Sequence, residues 1–325
     1  MLITRRQALR NSTFALGGAV LAPQLAQAET AASKPSGQNA GIYRLKLGAF
    51  EVTVLSDGSF TLPSPLLATN LAEAELKEFV KANHIGADTF RTQINVVLVN
   101  TGDRSVLIDA GGGGWPQPTT GRLAASLQAA GIEPTAIDLV VLTHAHPDHL
   151  WGAVDTKAGT MRFPNARYII SDREWDFWSD PERQGSFPER WRGMIQGTQA
   201  AFKLIADRTT RIKPGTEIVS GIATVESRGH TPGHMSVLLA SSGEQALVIG
   251  DAVTNGLISF AHPEWQPGYD GEMDLAVVTR RRLLDQAAAD RALLLGYHLP
   301  FPGVGNVARD GAAYRWVPEH WRWDL

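Results

Sequence analysis

The chain has 325 residues, 43% hydrophobic and 19% charged, a balance typical of a soluble globular protein with one large core or two modest ones. It contains no cysteine, so disulfides and thiolate ligands are excluded, and any metal must be held by nitrogen and oxygen. The 30 basic and 33 acidic side chains leave a net charge of −3, which argues against nucleic acid as the main partner.

The first 28 residues read as an export signal and not as part of the fold. Arg5 and Arg6 precede an apolar stretch at 14–25, and Ala-Gln-Ala at 26–28 matches a cleavage site. The paired arginines indicate twin-arginine export to the periplasm or medium. The apolar stretch is short and broken by glycine and proline, so no stable membrane insertion is expected; an uncleaved anchor or a tail is the alternative. Without the three arginines of residues 1–28, 27 basic side chains face 33 acidic ones, a net charge of −6.

Residues 29–40 are small and polar and read as a linker, which leaves 41–325 as the folded domain. Within the domain, apolar or alternating stretches predict strands, and stretches of helical periodicity predict helices. The predicted strands cover residues 43–47, 51–55, 94–99, 105–108, 137–142, 167–171, 222–226, 235–240, 246–249 and 291–295. The predicted helices cover 70–82 with Asn70 as N-cap, 122–130, much of 172–206, and 272–288. This order predicts two sheets with helices outside them.

The most informative segment follows the apolar strand at 137–142, where residues 143–149 read Thr-His-Ala-His-Pro-Asp-His. Imidazole nitrogen and carboxylate oxygen are ligands that zinc and similar ions accept. Clustering these groups without a cation costs free energy, because several polar groups are desolvated together. The segment therefore predicts half of a metal site, with solvated loop histidines as the alternative.

Further ligand-type side chains lie at the ends of other apolar strands. Asp251 follows the strand at 246–249, and His298 follows the strand near 295. His230 and His234 share the loop Gly-His-Thr-Pro-Gly-His at 229–234. Ligands delivered from the ends of several strands suit a rigid, preorganised site. The alternatives are satisfied core histidines for His234 and His298, and a strand-end cap for Asp251.

With these residues in view, the chain resembles the metallo-β-lactamase superfamily over essentially all of 41–325. Seven residues match that superfamily's metal ligands in order: His144, His146, Asp148, His149, His234, Asp251 and His298. The resemblance implies a four-layer αββα fold. More narrowly, the chain looks like the methyl parathion hydrolase group, through segments such as Leu-Ser-Asp-Gly at 55–58 and His-Leu-Pro-Phe-Pro-Gly at 298–303.

The resemblance implies a site for two divalent metal ions, zinc being the expected metal, with a hydroxide between them as nucleophile. The first ion would be held by His144, His146 and His234, the second by Asp148, His149 and His298, and Asp251 would bridge them. Asp148, Asp251 and His230 form the predicted catalytic set, in which His230 supports the site through a hydrogen bond. His230 as a ligand in place of His234 is the alternative. The sequence offers no cysteine and no Gly-x-Ser-x-Gly nucleophile.

Aromatic side chains indicate a pocket for a neutral small molecule. Trp178 matches a pocket aromatic of the methyl parathion hydrolase group, and Trp115 and Phe260 lie in segments within reach of the site, with core packing as the alternative. We therefore predict hydrolysis of a neutral ester, a lactone or an organophosphate triester. A β-lactamase, a glyoxalase-II-like thioesterase and a metal-binding protein without turnover are the alternatives.

Segments 114–117 and 260–269 depart from the family pattern. The sequence leaves open whether the protein forms a homodimer.

Overall fold

The computed structural model describes residue 39 and residues 41–182 and 189–323. The predicted export signal at 1–28 lies outside the described residues, as does all of the predicted linker except residue 39. The strands are β1 (Ile42–Leu47), β2 (Phe50–Pro63), β3 (Thr89–Asn100), β4 (Ser105–Ile108), β5 (Leu139–Val141), β6 (Val154–Asp155), β7 (Thr160–Met161), β8 (Arg167–Ser171), β9 (Thr209–Ile212), β10 (Glu217–Val219), β11 (Ile222–Glu226), β12 (Met235–Ser241), β13 (Glu244–Val248), β14 (Leu293–Leu295), β15 (Val304–Asp310) and β16 (Ala313–Pro318). The helices are α1 (Glu73–Ala82), α2 (Leu123–Ala130), α3 (Pro147–Leu150), α4 (Asp172–Ser179), α5 (Glu189–Ile205), α6 (Ile258–Ala261) and α7 (Met273–Asp290).

The strands form two large mixed sheets, each contributed by one half of the domain. The first has the order β1-β2-β3-β4-β5-β8-β9 and the second β10-β11-β12-β13-β14-β15-β16. The first sheet is antiparallel from β1 to β4 and parallel from β4 to β9. The second is antiparallel except where β13 runs parallel to β14. Parallel neighbours present their carboxyl ends at the same rim of a sheet, which is where loops can assemble a site.

The two sheets pack face to face because alternate residues of each strand are apolar on the inner side. Val97 and Val99 of β3 meet Val237 and Leu239 of β12 in one buried cluster. The residues between them on β3, such as Leu98, point to the opposite face and join a second cluster. A strand buried on both sides explains the continuous apolar run at 96–99.

Helices cover the outer face of each sheet and complete a four-layer αββα sandwich, which confirms the predicted architecture. Leu127 of α2 and Phe202 of α5 pack with the outer side of the first sheet. Leu283 of α7 packs with Leu247 and Leu294 on the outer side of the second sheet. Each sheet therefore has one face against the other sheet and one against helices.

Two boundaries differ from the sequence-based expectation. β2 runs on to Pro63, past a register shift between Ser56 and Gly58, since pairing with the long β3 outweighs the turn character of Ser-Asp-Gly. Helix α1 begins at Glu73, and no side chain caps it. Asn70, the expected cap, instead accepts a hydrogen bond from the backbone N–H of Gln266 at 2.9 Å. A tertiary contact thus replaces the local one.

Four strands of the two sheets were not expected from the sequence. β9 and β10 are short, and β15 and β16 form a hairpin around Gly311, whose φ is 59°. This hairpin pairs with β14 and closes the outer edge of the second sheet. One face of this hairpin is exposed to solvent and carries charged residues, so its sequence does not show a clear strand pattern.

Candidate metal centre and its pocket

The metal-capable side chains come from the carboxyl ends of three strands and from one loop. β5 leads into residues 144–149, β13 into Asp251 and β14 into His298, and the loop between β11 and β12 carries His230. β4 with β5, and β13 with β14, are the parallel pairs that bring these ends to one rim of the sandwich. The rigid sheets therefore position a site that the loops alone would leave loose.

The side chains form two groups, and the ligand atoms within each group lie within 4.8 Å of one another. The first group is His144, His146, His230 and Asp251, and the second is Asp148, His149 and His298. Asp251 reaches both groups. Its Oδ2 lies 3.2 Å from His230 Nε2 and 3.3 Å from His298 Nε2, and its Oδ1 lies 3.2 Å from His149 Nε2. Its carboxylate therefore lies between the two groups.

His234 is the predicted ligand that the structure places outside these groups. Its Nε2 accepts a hydrogen bond from the backbone N–H of Asp251 at 2.9 Å, and its Nδ1 lies 3.0 Å from the carbonyl oxygen of Ser227. His230 occupies the expected position instead, with its Nε2 2.9 Å from His146 Nδ1. The positions predicted for His230 and His234 are thus exchanged. His234 directly precedes β12 and is held beneath the site by strand pairing, whereas His230 lies in the loop that faces it.

Hydrogen bonds at the second ring nitrogen orient the histidines of the second group. His149 Nδ1 lies 2.8 Å from Asp109 Oδ2, and His298 Nδ1 donates to the carbonyl oxygen of Gln93 at 2.6 Å. Asp109 also accepts hydrogen bonds from the backbone N–H and the hydroxyl of Thr143, both at 2.8 Å. These contacts hold a proton on Nδ1 and direct Nε2 into the centre.

A buried ion pair orients His230. Its Nδ1 lies 2.9 Å from Asp270 Oδ1, and the other oxygen of Asp270 lies 2.8 Å from the guanidinium of Arg280. Arg280 is only 1% exposed, and it also donates hydrogen bonds to the backbone carbonyl oxygens of Ala252, Pro263 and Trp265. A buried charge of this kind is tolerated because each of the three guanidinium nitrogens has a hydrogen-bond partner. The pair therefore anchors the loop that presents His230.

Three buried polar atoms at the centre have no hydrogen-bond partner: His144 Nε2, His149 Nε2 and Asp251 Oδ1. Buried polar atoms are almost always satisfied, so an unpartnered cluster of acceptor-type atoms needs an explanation. Two imidazole nitrogens and a carboxylate oxygen are the donor set that zinc prefers in the absence of thiolate. The residues present therefore fit a divalent metal centre.

The protonation preferences of these groups follow from their burial and from one another. Burial lowers the pKa of His144 well below its ordinary value and that of His146 to about 3, so both rings stay neutral. Burial opposes ionisation of Asp251, but the neighbouring His298 and His149 hold its pKa well below the usual range. Burial opposes protonation of His149 and His298, but the neighbouring Asp251 raises the pKa of His149 well above its ordinary value and that of His298 to about 10. A metal ion would therefore displace a proton from each of these two rings, since neutral imidazole and ionised carboxylate are the forms that bind metal.

A cavity of about 430 Å³ opens onto this centre, and most of its wall is apolar. The apolar wall comprises Phe60, Leu62, Leu66, Phe90, Trp115, Phe177, Trp178, Trp191 and Met194. Trp115 and Trp178 therefore lie where the sequence analysis expected them. The prediction for Phe260 is wrong. It is 1% exposed and packs 5.5 Å from the Trp316 ring, because α6 turns it into the outer layer of the second sheet.

Asp57 and the glycine run at 111–114 support the rim of the cavity. Asp57 accepts hydrogen bonds from the backbone N–H groups of Gly112, Gly121 and Leu123, at 2.9, 3.1 and 2.7 Å. A side chain on Gly111, whose φ is +74°, would meet the Asp57 carboxyl at 2.6 Å. The run thus lets the backbone pass close to a buried carboxylate.

Sequence reasoning missed three buried carboxylates that organise the centre: Asp109, Asp270 and Glu174. Asp109 offered a signal, because it follows an apolar strand as Asp251 does. Asp270 and Glu174 offered none, since an acidic residue in a loop or in the first turn of a helix is ordinarily solvated.

The match to a family model decides the relationship of this chain to known proteins. A model described as the metallo-beta-lactamase superfamily matches residues 89–298, which include both ligand groups. The chain belongs to the metallo-β-lactamase superfamily. It is a hydrolase of that superfamily, and its αββα sandwich is the superfamily's fold.

Two solved structures of this superfamily are similar over nearly their whole length. One is described as "hydrolase AbOPH in beta lactamase superfamily": it is 32% identical, has a TM-score of 0.81, and the match covers 88% of this chain and 100% of that one. The other is AidC, described as a dizinc quorum-quenching lactonase in complex with a product. It is also 32% identical, with a TM-score of 0.81 and coverage of 87% and 98%.

Curated relatives match over shorter stretches. The N-acyl homoserine lactonase AttM of Azorhizobium caulinodans is 32% identical over 145 residues, which is 40% of this chain and 47% of AttM. The uncharacterized protein YobT of Bacillus subtilis is 30% identical over 178 residues, covering 52% of this chain and 69% of YobT. Among the helices that the structure describes, none has the length and apolar character needed to cross a membrane.

Proposed function

We propose that this superfamily member is a dinuclear metallohydrolase that opens a lactone or cleaves another neutral ester. The observation that carries the proposal is the position of Asp251. Its two carboxylate oxygens lie within 3.3 Å of a nitrogen from each ligand group, at the floor of an apolar cavity. A shared carboxylate is what two neighbouring cations need, and an apolar cavity above them suits an uncharged substrate.

The geometry supports one assignment of ligands. The first ion would be held by His144, His146 and His230, the second by Asp148, His149 and His298, with Asp251 shared. Zinc is the metal we propose, since all the ligands are imidazole and carboxylate and the similar protein AidC is described as dizinc. When bound, such ions supply a water of lowered pKa and polarise the bond that it attacks.

The chain's own polar groups in the cavity would orient the substrate. The hydroxyl of Tyr269 lies 2.9 Å from Thr254 Oγ1, and both residues line the cavity. Burial raises the pKa of Tyr269, so its hydroxyl stays protonated and can donate a hydrogen bond to a substrate oxygen. The aromatic wall formed by Trp115 and Trp178 would exclude water and hold the apolar part of the substrate.

Two lines support the proposed substrates. AidC and AttM are both named as lactonases, which favours a lactone. The organophosphate triester rests on the resemblance of the sequence to the methyl parathion hydrolase group.

Action in the periplasm or medium rests on the pattern of residues 1–28. A homodimer also stays a proposal, which light scattering would test.

A substrate panel with metal analysis tests the proposal. The purified protein would be assayed for bound metal and for hydrolysis of N-acyl homoserine lactones, p-nitrophenyl esters, methyl parathion, nitrocefin and a glutathione thioester. We expect two metal equivalents and turnover of a lactone or ester. Turnover of nitrocefin or the thioester alone would identify one of the other enzymes of the superfamily. Two bound ions without any turnover would identify a metal-binding protein.

Paired variants test the exchange of His230 and His234. His230→Ala removes an Nε2 that faces the first group, so we expect it to lose most of one metal equivalent. His234→Ala removes a group that only supports Asp251, so we expect a loss of about 10–100-fold in metal affinity, with both equivalents recovered at high metal concentration. The reverse ranking would restore His234 as the ligand.

A further inference from the structure

Glu174, in the first turn of α4, is a fully buried carboxylate whose two oxygens are both used by neighbouring segments. Its Oε1 accepts hydrogen bonds from the backbone N–H of Ala145 at 3.0 Å and from the indole N–H of Trp178 at 2.7 Å. Its Oε2 accepts hydrogen bonds from the hydroxyl of Thr231 at 2.8 Å and from the backbone N–H of Gly233 at 2.9 Å. One side chain thus satisfies donors from three places in the fold.

Each of these donors lies beside a residue of the candidate centre or of its pocket. Ala145 stands between His144 and His146, and Thr231 follows His230 in the chain. Trp178 lines the cavity, and its ring lies 5.6 Å from the ring of His146 at an angle of 71°. The Glu174 carboxylate therefore joins both halves of the first ligand group to one wall of the pocket.

The packing around Glu174 shows that the contact is tight. A Cβ on Gly233 would lie 2.2 Å from the backbone nitrogen of Glu174, so only glycine lets the 229–234 loop approach α4 this closely. The loop and the helix are thereby held at one distance, and any change in the carboxylate is transmitted to the loop that carries His230.

We propose that Glu174 is a positioning residue that sets the spacing of His146 and His230 in the first ligand group and fixes the Trp178 wall against it. The effect on the ligand group does not depend on the substrate. The effect on the pocket rests on the proposed function, because it concerns how a substrate is seated.

The chemistry of the four donors predicts what a glutamine would do. The N–H groups of Ala145, Trp178 and Gly233 can only donate, whereas the Thr231 hydroxyl can also accept. Oε1 faces two of the pure donors and Oε2 faces one, so the amide oxygen of Glu174→Gln is best placed at the Oε1 position. Its NH₂ group then faces the N–H of Gly233, which loses its acceptor. The variant should therefore loosen the 229–234 loop while keeping Ala145 and Trp178 in place.

The experiment compares Glu174→Gln with Asp176→Asn, which removes a carboxylate of the same helix that is exposed and paired with Arg211. Chelator competition measures the affinity for each zinc ion. Visible spectra of the cobalt-substituted protein report the ligand geometry. Hydrogen exchange of the metal-free protein reports the Gly233 amide directly.

For Glu174→Gln we expect the affinity for the first ion to fall by about 10–100-fold, the cobalt spectrum to change and hydrogen exchange at Gly233 to become faster. For Asp176→Asn we expect wild-type values in all three measurements. Unchanged zinc affinity and an unchanged cobalt spectrum in Glu174→Gln would overturn the proposal, whatever the melting temperature of the variant.

Thr231→Val keeps the test decisive where Glu174→Gln does not fold. It removes a single hydrogen bond to Oε2, so we expect a smaller loss of first-ion affinity, about two- to tenfold, with the same change in the cobalt spectrum. Wild-type affinity in this variant would also overturn the proposal. All these measurements need no substrate. A wild-type protein without hydrolytic activity would therefore refute the proposed function while leaving the role of Glu174 to be judged by metal affinity alone.

Discussion

Replacing Arg280 by methionine tests the buried ion pair that orients His230. Arg280 and Asp270 lie 2.8 Å apart, with side chains only 2% and 1% exposed. Methionine fills much of the space of the arginine stem but leaves the Asp270 carboxylate without its cation. It also leaves three backbone carbonyl oxygens without a donor.

The expected cost follows from this geometry. Removing one partner of a buried ion pair lowers the free energy of unfolding by about 3–5 kcal/mol, because the other charge stays buried and uncompensated. For a domain of this size each kcal/mol shifts Tm by roughly 2–4 °C, so the variant should melt about 6–20 °C below the wild type. The metal should bind more weakly, because Asp270 loses the cation that holds it in place. Binding should not be lost, because His230 keeps its hydrogen bond to Asp270.

Urea denaturation followed by circular dichroism measures the difference, and Arg281→Met provides a matched control. Arg281 is the next residue on α7, is 38% exposed and pairs with Glu264 at 3.0 Å. A surface pair of this kind contributes about 0–1 kcal/mol, so the control should remain close to the wild type. A loss below about 1 kcal/mol for Arg280→Met, or a loss equal to that of the control, would refute the reasoning.

Three further predictions concern the centre and the pocket. Asn tolerates the left-handed backbone at position 109, where φ is 61°, but the NH₂ group of Asp109→Asn would face hydrogen-bond donors. We expect the affinity for the second ion, measured by chelator competition, to fall by about 10–100-fold. Wild-type affinity would contradict the role of Asp109. Trp178→Ala should retain both metal equivalents, change the preference among substrates and lower stability by about 3–5 kcal/mol; lost metal would argue against a pocket role. When each metal ion is supplied at a hundred times its Kd, removing it with a chelator should lower the free energy of unfolding by about 2.7 kcal/mol per ion. Identical melting curves with and without chelator would show that the cluster binds no metal.

The strands of the core could be predicted from the sequence because their apolar patterns are local. Residues 94–99 and 235–240 carry alternation or continuous apolar character, and both lie in strands of the sandwich. The hairpin of β15 and β16 could not, because it is half exposed and owes its conformation to pairing with β14. Asn70 shows the same limit in a helix, since its side chain bonds to a distant loop and not to the helix start.

The ligand types of the centre could also be predicted, but the choice between two equivalent residues could not. His230 and His234 share a loop and differ by four positions, so either ring satisfies the pattern. The choice depends on which ring is held by the Asp251 backbone and which by Asp270, and those contacts join residues far apart in the chain.

The sequence by itself determined the chemistry of this protein: the absence of thiolates, a cluster of imidazoles and carboxylates at strand ends, and the order of ligands that marks its superfamily. These features are local patterns of residue type. Only the tertiary structure decided that His230 and not His234 faces the centre, that Phe260 belongs to the core, and that Glu174 joins the ligand loops to the pocket wall. Each of those outcomes depends on hydrogen bonds and packing between segments that meet only when both sheets are assembled.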